Sequence, residues 1–160
     1  MKVGVIADTH NHVARTKRAM DIFVANGCEV LLHCGDLANP AILAICRQLP
    51  FHFVLGNHDD EATFRLDSHI DGVTCHGELM DLSFDSVRFM MTHGHLKSLV
   101  RAIHVAKPDY FLCGHSHVAC DRMENGVRKV NPGALFRIKT PSVAIIDTLD
   151  GTVEFELVPK

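Results

Sequence analysis

Apolar positions near the start of the chain follow first a strand pattern and then a helix pattern. Residues 2–7 form a continuous apolar run rich in β-branched side chains, which predicts a buried strand. Within Val13–Ala25, the apolar residues Ala19, Met20 and Phe23 recur at helical spacing, and a glycine follows the segment. The chain therefore opens with a predicted strand and helix.

The same alternation continues through the next thirty residues. Residues 29–33 predict a second apolar strand, and residues 51–55 predict a third. Between them, Asn39 is a suitable N-cap and Pro40 suits the first position of a helix. The buried face predicted for this helix comprises Ile42, Leu43, Ile45, Cys46 and Leu49.

The second half of the chain has a different rhythm, in which strands follow one another directly. Met80, Leu82 and Phe84 alternate with polar residues, residues 85–86 are turn-forming, and Val87–Met91 is again apolar. This pattern predicts a β-hairpin.

A helix and further strands complete the predicted elements. Residues 96–106 predict a helix that ends before residues 107–108, because the residue before a proline is disfavoured in the α region. Residues 110–113 predict another buried strand. Residues 125–126 and 150–151 are Asn-Gly and Asp-Gly pairs between strand-like segments, which is typical of hairpin turns. The chain is thus predicted to end in antiparallel sheet.

Parallel β-α units followed by hairpins predict an α/β fold with four layers. A chain of 160 residues is long enough for a single core, so we expect one domain over residues 1–160. The combination favours an α/β/β/α sandwich, in which two mixed sheets stack and helices cover their outer faces.

Composition and charge exclude several classes of protein. The chain is 47% hydrophobic and 22% charged, as in globular proteins, and its net charge of -3 with scattered Lys and Arg gives no nucleic-acid-binding surface. The apolar N-terminal run is too short for a signal peptide or a membrane span, so we expect no membrane association and a cytoplasmic location. Twelve histidines against one Tyr and no Trp direct attention to metal binding.

Five short polar motifs follow predicted strands. Ligands of open α/β sheets bind at the carboxyl ends of the strands, so these motifs are expected to meet in one crevice. They are Asp8-Thr9-His10, Gly35-Asp36, Gly56-Asn57-His58-Asp59, Thr92-His93-Gly94-His95 and Gly114-His115-Ser116-His117.

The side chains of these motifs form a nitrogen and oxygen ligand set without thiolates. Such a set suits Mn, Fe, Zn, Ni or Co better than a structural zinc or calcium site. Seven candidate ligands are too many for one ion with an open position but suit two ions that share a carboxylate. They are Asp8, His10, Asp36, Asn57, His93, His115 and His117. We therefore expect two divalent ions per chain, with Mn as the leading candidate.

The motif order DTH, GD, GNHD, THGH and GHSH resembles the calcineurin-like metallophosphoesterase superfamily over nearly the whole chain. The short length and the late turn at residues 131–133 resemble its compact bacterial and archaeal phosphodiesterases. That family pattern has serine after the glycine of the turn, whereas this chain has Ala134, so no role of a hydroxyl carries over to that position.

The resemblance also implies roles for the motif residues. One ion would be held by Asp8, His10 and His117, the other by Asn57, His93 and His115, with Asp36 as the bridge. His58 resembles the catalytic histidine of the family, which stabilises the phosphoryl oxygens and protonates the leaving group. Asp59 would orient His58, as carboxylates commonly orient histidines beside metals.

These assignments predict hydrolysis of a small phosphodiester by a metal-activated hydroxide. Two alternatives remain at this point. One is a phosphomonoesterase, and the other is a non-catalytic scaffold like the small retromer subunit, which resembles the same family. The presence of His58 favours an enzyme, because a scaffold has no evident use for it. His95 lies beside a motif ligand and is a further candidate for substrate contact, and a homo-oligomer is compatible with the sequence.

Overall fold

The computed structural model describes residues 1–66 and 70–159. In this part of the chain, strands alternate with helices in the first half and mostly follow one another directly in the second half, as the sequence pattern predicts. The strands are β1 (Lys2–Ile6), β2 (Val30–His33), β3 (Phe51–Phe53), β4 (Val73–Cys75), β5 (Met80–Phe84), β6 (Val87–Met91), β7 (Tyr110–Leu112), β8 (Cys120–Glu124), β9 (Val127–Asn131), β10 (Ser142–Asp147) and β11 (Val153–Leu157). The helices are α1 (Val13–Ala25), α2 (Ala41–Cys46), α3 (Glu61–Leu66) and α4 (Lys97–Ala106).

The strands form two mixed sheets. The first has the order β11-β10-β1-β2-β3-β4, in which β1 to β4 are parallel and β10 and β11 are antiparallel to their neighbours. The second has the order β5-β6-β7-β9-β8, with parallel pairs at β6-β7 and β7-β9 and an antiparallel hairpin at each edge. The parallel strands therefore occupy the centre of the second sheet and extend from the centre to one edge, β4, in the first.

Three hydrophobic clusters show that the two sheets stack with helices outside. One cluster joins the first sheet to α1 and α2, for example through Phe23 and Phe51. A second lies between the sheets and includes Val5 and Leu112, and a third joins the second sheet to α4 through Phe111 and Ile103. The predicted four-layer α/β/β/α sandwich is confirmed.

The first helix has the bounds that its apolar pattern predicts. Met20 and Phe23 are fully buried, and the His12 Nδ1 atom accepts a hydrogen bond of 3.4 Å from the Arg15 N–H at the helix start. After the helix, Gly27 has a φ of 73°, a backbone conformation that glycine adopts without strain. The helix therefore begins and ends where local sequence signals place its termini.

Several elements differ from the sequence-based prediction in their bounds, and two were not predicted. Helix α2 begins at Ala41 and ends at Cys46, and the Asn39 Oδ1 atom accepts from the Ala41 N–H at 2.8 Å, so Asn39 caps the helix but Pro40 precedes it. The strand β4 and the short helix α3 were not predicted, because three residues and six residues are too few to establish a period. The β10-β11 connection spans residues 148–152 and is longer than a two-residue turn.

Two hairpins close through two-residue turns with left-handed backbone at both central positions. The φ values are 48° and 67° at Asp85 and Ser86, and 54° and 80° at Asn125 and Gly126. This is the turn type whose twist matches a β-hairpin.

Within the described residues, no helix is both long enough and apolar enough to cross a bilayer.

The second central turn residue is Ser86 in one hairpin and Gly126 in the other. Removing the side chain from the first and adding one to the second should change the free energy of unfolding in opposite directions. A Cβ at Gly126 meets no atom within 4 Å, so Gly126→Ala tests backbone strain alone and should destabilise the protein by about 1 kcal/mol. Ser86→Gly should stabilise it by less than this, because glycine also adds flexibility to the unfolded chain. Chemical denaturation of both variants measures the effect, and a change of the same sign in both would contradict it.

Candidate metal centre

The five polar motifs lie at the carboxyl ends of the central parallel strands, three in the first sheet and two in the second. Backbone hydrogen bonds join the loops after β1 and β2: the Asp8 N–H donates to the Gly35 oxygen at 3.1 Å, and the His10 N–H donates to the Asp36 oxygen at 3.0 Å. The Gly114 N–H donates to the His93 oxygen at 3.0 Å in the second sheet. These bonds hold neighbouring motif loops together within each sheet.

The Asp36 carboxylate lies between two histidines. Its Oδ2 atom is 3.4 Å from the Nε2 atom of His10 and 3.4 Å from that of His93. Its Oδ1 atom accepts a hydrogen bond of 2.9 Å from the His58 N–H. Burial alone would raise the pKa of Asp36, but the His93 imidazole and the His58 N–H outweigh it and hold this pKa at about 2. Asp36 is therefore a carboxylate anion with one oxygen aimed at two imidazoles.

The Asp8 carboxyl is fully buried beside Asp36. Its Oδ2 atom accepts from the His115 N–H at 3.1 Å, and its Oδ1 atom lies 3.2 Å from the His117 Nε2 atom. Burial raises the pKa of Asp8 to about 7. Although His117 is near, the buried Oδ1 atom makes no hydrogen bond of acceptable geometry within the described residues, whereas such an atom normally makes one.

The His93 ring is oriented by the neighbouring sheet. Its Nδ1 atom lies 2.8 Å from the Cys34 carbonyl oxygen, to which it donates, so in the neutral ring the Nε2 atom carries the free lone pair. That Nε2 atom is buried and also lacks a hydrogen-bond partner in the described part of the chain. A carboxylate oxygen and an imidazole nitrogen, both buried and both unsatisfied, fit a cation between them.

Two groups of side chains have the geometry of metal ligands. One comprises Asp8, His10 and His117, and the other comprises Asp8, Asp36 and His93; within each group the donor atoms lie within 4.8 Å of one another. The other two predicted ligands lie at the same crevice, where Asn57 is exposed and the His115 ring centroid is 5.1 Å from that of His93. The structure thus brings all seven predicted ligands to one place.

His58 and Asp59 contact different parts of the site. The His58 ring lies against the His10 ring, with 5.1 Å between the centroids. The Asp59 Oδ2 atom accepts from the N–H groups of Asp36 and Gly56 at 2.7 and 2.8 Å, and its Oδ1 atom accepts from the Ala38 N–H at 2.7 Å. Both carboxylate oxygens of Asp59 thus accept from backbone N–H groups, so Asp59 clamps the loop that carries Asp36, and its predicted action on the His58 ring stays a prediction.

The ligand loops adopt strained backbone conformations. Five of the seven predicted ligands have positive φ, between 41° and 66°: Asp8, His10, Asp36, His115 and His117. Such conformations cost about 1–2 kcal/mol per residue and persist only where the surroundings enforce them. At Gly56, an added Cβ would collide with the Asp36 carboxylate, so glycine is required for the close approach of these two loops.

A cleft of about 360 Å³ opens above the ligands. Two of its lining residues were not predicted from the sequence, Phe136 and Arg137. The Phe136 ring packs on the His10 ring at 4.9 Å between centroids, and the Arg137 guanidinium lies over the Phe136 ring at 5.0 Å. They lie in the irregular segment between β9 and β10, which carries no periodic signal. His95 lies instead in a neighbouring pocket with Asp59 and Glu78.

Two buried residues that support the ligand loops were also missed. The His33 Nδ1 atom accepts from the Gly35 N–H at 3.1 Å, so its Nε2 atom carries the proton and donates to the Thr9 hydroxyl at 3.0 Å. The Asn131 Nδ2 atom donates to the Gly114 oxygen at 2.9 Å and to the Ser116 hydroxyl at 3.1 Å. A polar residue at the end of an otherwise apolar strand is the signal that could have identified both.

Fold and site together define a metal-binding hydrolase of phosphate esters. The sequence pattern of the calcineurin-like phosphoesterase superfamily domain matches residues 1–151, so the chain belongs to that superfamily. The predicted family and the predicted enzyme class, a metallophosphoesterase, are confirmed.

A curated relative and two solved structures match this chain over nearly their whole length, and the structures show that the fold is shared. Phosphodiesterase MJ0936 of Methanocaldococcus jannaschii is 28% identical over 155 residues, which cover 92% of this chain and 93% of the relative. A solved structure described as a novel archaeal phosphodiesterase superposes with a TM-score of 0.87, at 24% identity, over 98% of this chain and 99% of that one. Zinc-complexed Vps29 of Entamoeba histolytica superposes with a TM-score of 0.68, at 19% identity, over 99% and 98%.

Neutral, buried His33 should make the metal-free protein less stable in acid. Burial lowers the pKa of His33 from 6.5 in the unfolded chain to about 3 in the folded protein. Between these values the unfolded chain binds one more proton, so unfolding becomes easier by about 1.4 kcal/mol for each pH unit of acidification.

The matched variant is His33→Asn, whose side-chain oxygen can still accept from Gly35 but does not titrate. Unfolding free energies measured from pH 6.5 to pH 4.5 should fall more steeply for the wild type than for the variant. The difference in slope should correspond to the uptake of about one proton on unfolding. Parallel curves would show that His33 is protonated in the fold.

Proposed function

We propose that this protein is a phosphodiesterase that uses two divalent metal ions held by the seven clustered ligands. The observation that carries the proposal is the position of the Asp36 Oδ2 atom, 3.4 Å from one histidine of each predicted ligand set. A carboxylate oxygen in that position can serve two ions at once, whereas an imidazole offers a single free nitrogen.

Asp8 belongs to both groups of clustered donor atoms, but one of its two oxygens is already engaged, which supports a terminal role for Asp8 and leaves the bridging role to Asp36. The Asp8 Oδ2 atom is occupied by the His115 N–H, which leaves Oδ1 for one ion together with His10 and His117. Asn57, His93 and His115 would hold the second ion. Asp8 also lies within reach of the His93 Nε2 atom, at 4.0 Å, so the two ligand groups are in close proximity.

Bound ions would supply Lewis acidity, which lowers the pKa of water and offsets charge on the phosphoryl oxygens. The protein's own side chains have separate tasks. Arg137 lines the cleft and presents a fixed positive charge to a phosphodiester anion. His58 lines the same cleft, where its ring can hold a proton for the leaving group. Asp59 holds the loop that carries Asp36 and the loop that carries Gly56 together, because it accepts hydrogen bonds from both.

We propose Mn as the leading ion, with Ni, Co, Fe and Zn as further candidates, because a set of imidazole and carboxylate ligands accepts several divalent ions. We propose the diester as the preferred substrate, because the relative that is 28% identical over 155 residues is named a phosphodiesterase. The scaffold alternative has the Vps29 likeness in its favour, but that likeness shows the fold alone. The complete ligand set and His58 favour catalysis.

Metal removal and reloading test the proposal. Exhaustive chelation should abolish hydrolysis of bis(p-nitrophenyl) phosphate, and Mn should restore it, with the diester hydrolysed faster than p-nitrophenyl phosphate. Unchanged turnover after confirmed metal loss would contradict the metal mechanism. Failure of every reloaded form to hydrolyse either ester would favour the scaffold.

Removal of the bridging carboxylate should have a larger effect than removal of the terminal one. Asp36→Asn should lower the metal content from two ions towards none, because the same oxygen serves both, whereas Asp8→Asn should leave one ion. Plasma emission spectrometry of protein equilibrated with limiting Mn measures both. Equal losses in the two variants would argue against Asp36 as the bridge.

His58→Ala should retain both ions yet lose about 10²–10⁴ in rate, because general acid catalysis contributes that much. The loss should be larger for an alkyl or nucleoside leaving group than for nitrophenolate, which needs little protonation. If both substrates lose activity equally, His58 stabilises phosphoryl charge and does not protonate the leaving group. Loss of metal would instead identify His58 as a ligand.

A further inference from the structure

A second cavity, of about 520 Å³, adjoins the cleft on the far side of His115, which lines both. Its walls come from the start of α4, the end of β7, the loop that carries His115, and strands β8 and β9. We call it the basic pocket after its four cationic lining residues, Lys97, Arg101, Arg122 and Lys129. No residue of the proposed mechanism other than His115 lies in it.

The positive charges of the basic pocket are only partly balanced. Glu124 pairs with Arg122 at 2.8 Å and with Lys129 at 3.4 Å, so a single carboxylate serves two cations. Lys97 and Arg101 have no acidic partner within 4 Å in the described part of the chain. Because the whole chain carries a net charge of -3, this concentration of positive charge is a local departure from the rest of the molecule.

Apolar side chains form the remaining lining. Val100 and Val118 face the cavity, and Val118 is 64% exposed although it is aliphatic. Ser116 and Asn131 add a hydroxyl and an amide at the end nearer to the metal ligands. A cavity with an apolar wall and uncompensated cations suits an organic group that carries its own anion.

We propose that the basic pocket binds one arm of the phosphodiester substrate, and that this arm carries a second phosphoryl group, as in a 5′-phosphorylated dinucleotide. The inference rests on the proposed function, because His115 connects the pocket to the cleft where the diester lies. A terminal phosphate has a charge of about -1.5 to -2 and three acceptor oxygens, which matches several cations better than a single carboxylate would. The nucleoside of the arm would contact Val100 and Val118.

The test compares two substrates that differ only at the arm, a dinucleotide with a 5′-phosphate and the same dinucleotide with a 5′-hydroxyl. The measured quantity is the ratio of their kcat/KM values with Mn-loaded enzyme, because a ratio cancels any general loss of folding or activity. The wild type should prefer the phosphorylated dinucleotide about tenfold or more, mainly through a lower KM.

Matched substitutions assign that preference to the pocket. Arg101→Gln and Lys97→Gln should each reduce the ratio about three- to tenfold, and the double variant should nearly abolish it. Arg47→Gln, an identical change at an exposed residue after α2, should leave it unchanged. A wild-type ratio near one, or a ratio that the double variant preserves, would overturn the inference. If neither dinucleotide nor bis(p-nitrophenyl) phosphate is hydrolysed, the proposed function has failed instead.

A binding experiment without catalysis gives an independent readout. Titration of chelated protein with a nucleoside 5′-monophosphate, followed by amide chemical shifts, should perturb Val100, Ser116 and Val118, and Arg101→Gln should weaken the response. The basic pocket shares only His115 with the proposed metal centre, so the nucleotide should still bind there after the metal has been removed. Shifts confined to the cleft around His58 and Arg137 would contradict the inference.

Discussion

The Asp36 carboxylate is the contact on which the rest of the site depends. Its two oxygens join a histidine from each sheet and a backbone N–H from the loop after β3, while its own N–H is held by Asp59. All of these partners converge because parallel strands end at a common edge of each sheet. The strained left-handed backbone at Asp36 and its neighbours is maintained by this set of bonds, since such conformations persist only when their surroundings enforce them.

Much of this arrangement could be predicted from the sequence, because the informative signals are local. The bounds of α1, the hairpin of β5 and β6, and the four-layer architecture follow from apolar periodicity and turn residues. The clustering of ligands follows from polar motifs at strand ends. Those signals require neither side-chain coordinates nor knowledge of long-range contacts.

The features that could not be predicted depend on contacts between distant segments. Asp59 binds backbone N–H groups from two loops, and no pattern near residue 59 indicates those partners. Phe136 and Arg137 reach the cleft from an irregular connection. His33 is an ordinary histidine in the sequence, and only the fold shows that it is fully buried and holds the loop beside Asp36.

The hydrogen bond between the His93 ring and the Cys34 carbonyl crosses from the second sheet to the first. The spacing between the ligand groups is consequently set by the apolar layer between the sheets, where side chains such as Val54 and Leu112 pack. A change of side-chain volume in that layer would change the distances between the donor atoms of the two sheets. The separation of the clustered side chains therefore depends on packing in the interior of the protein, and neither half of the chain supplies all of them by itself.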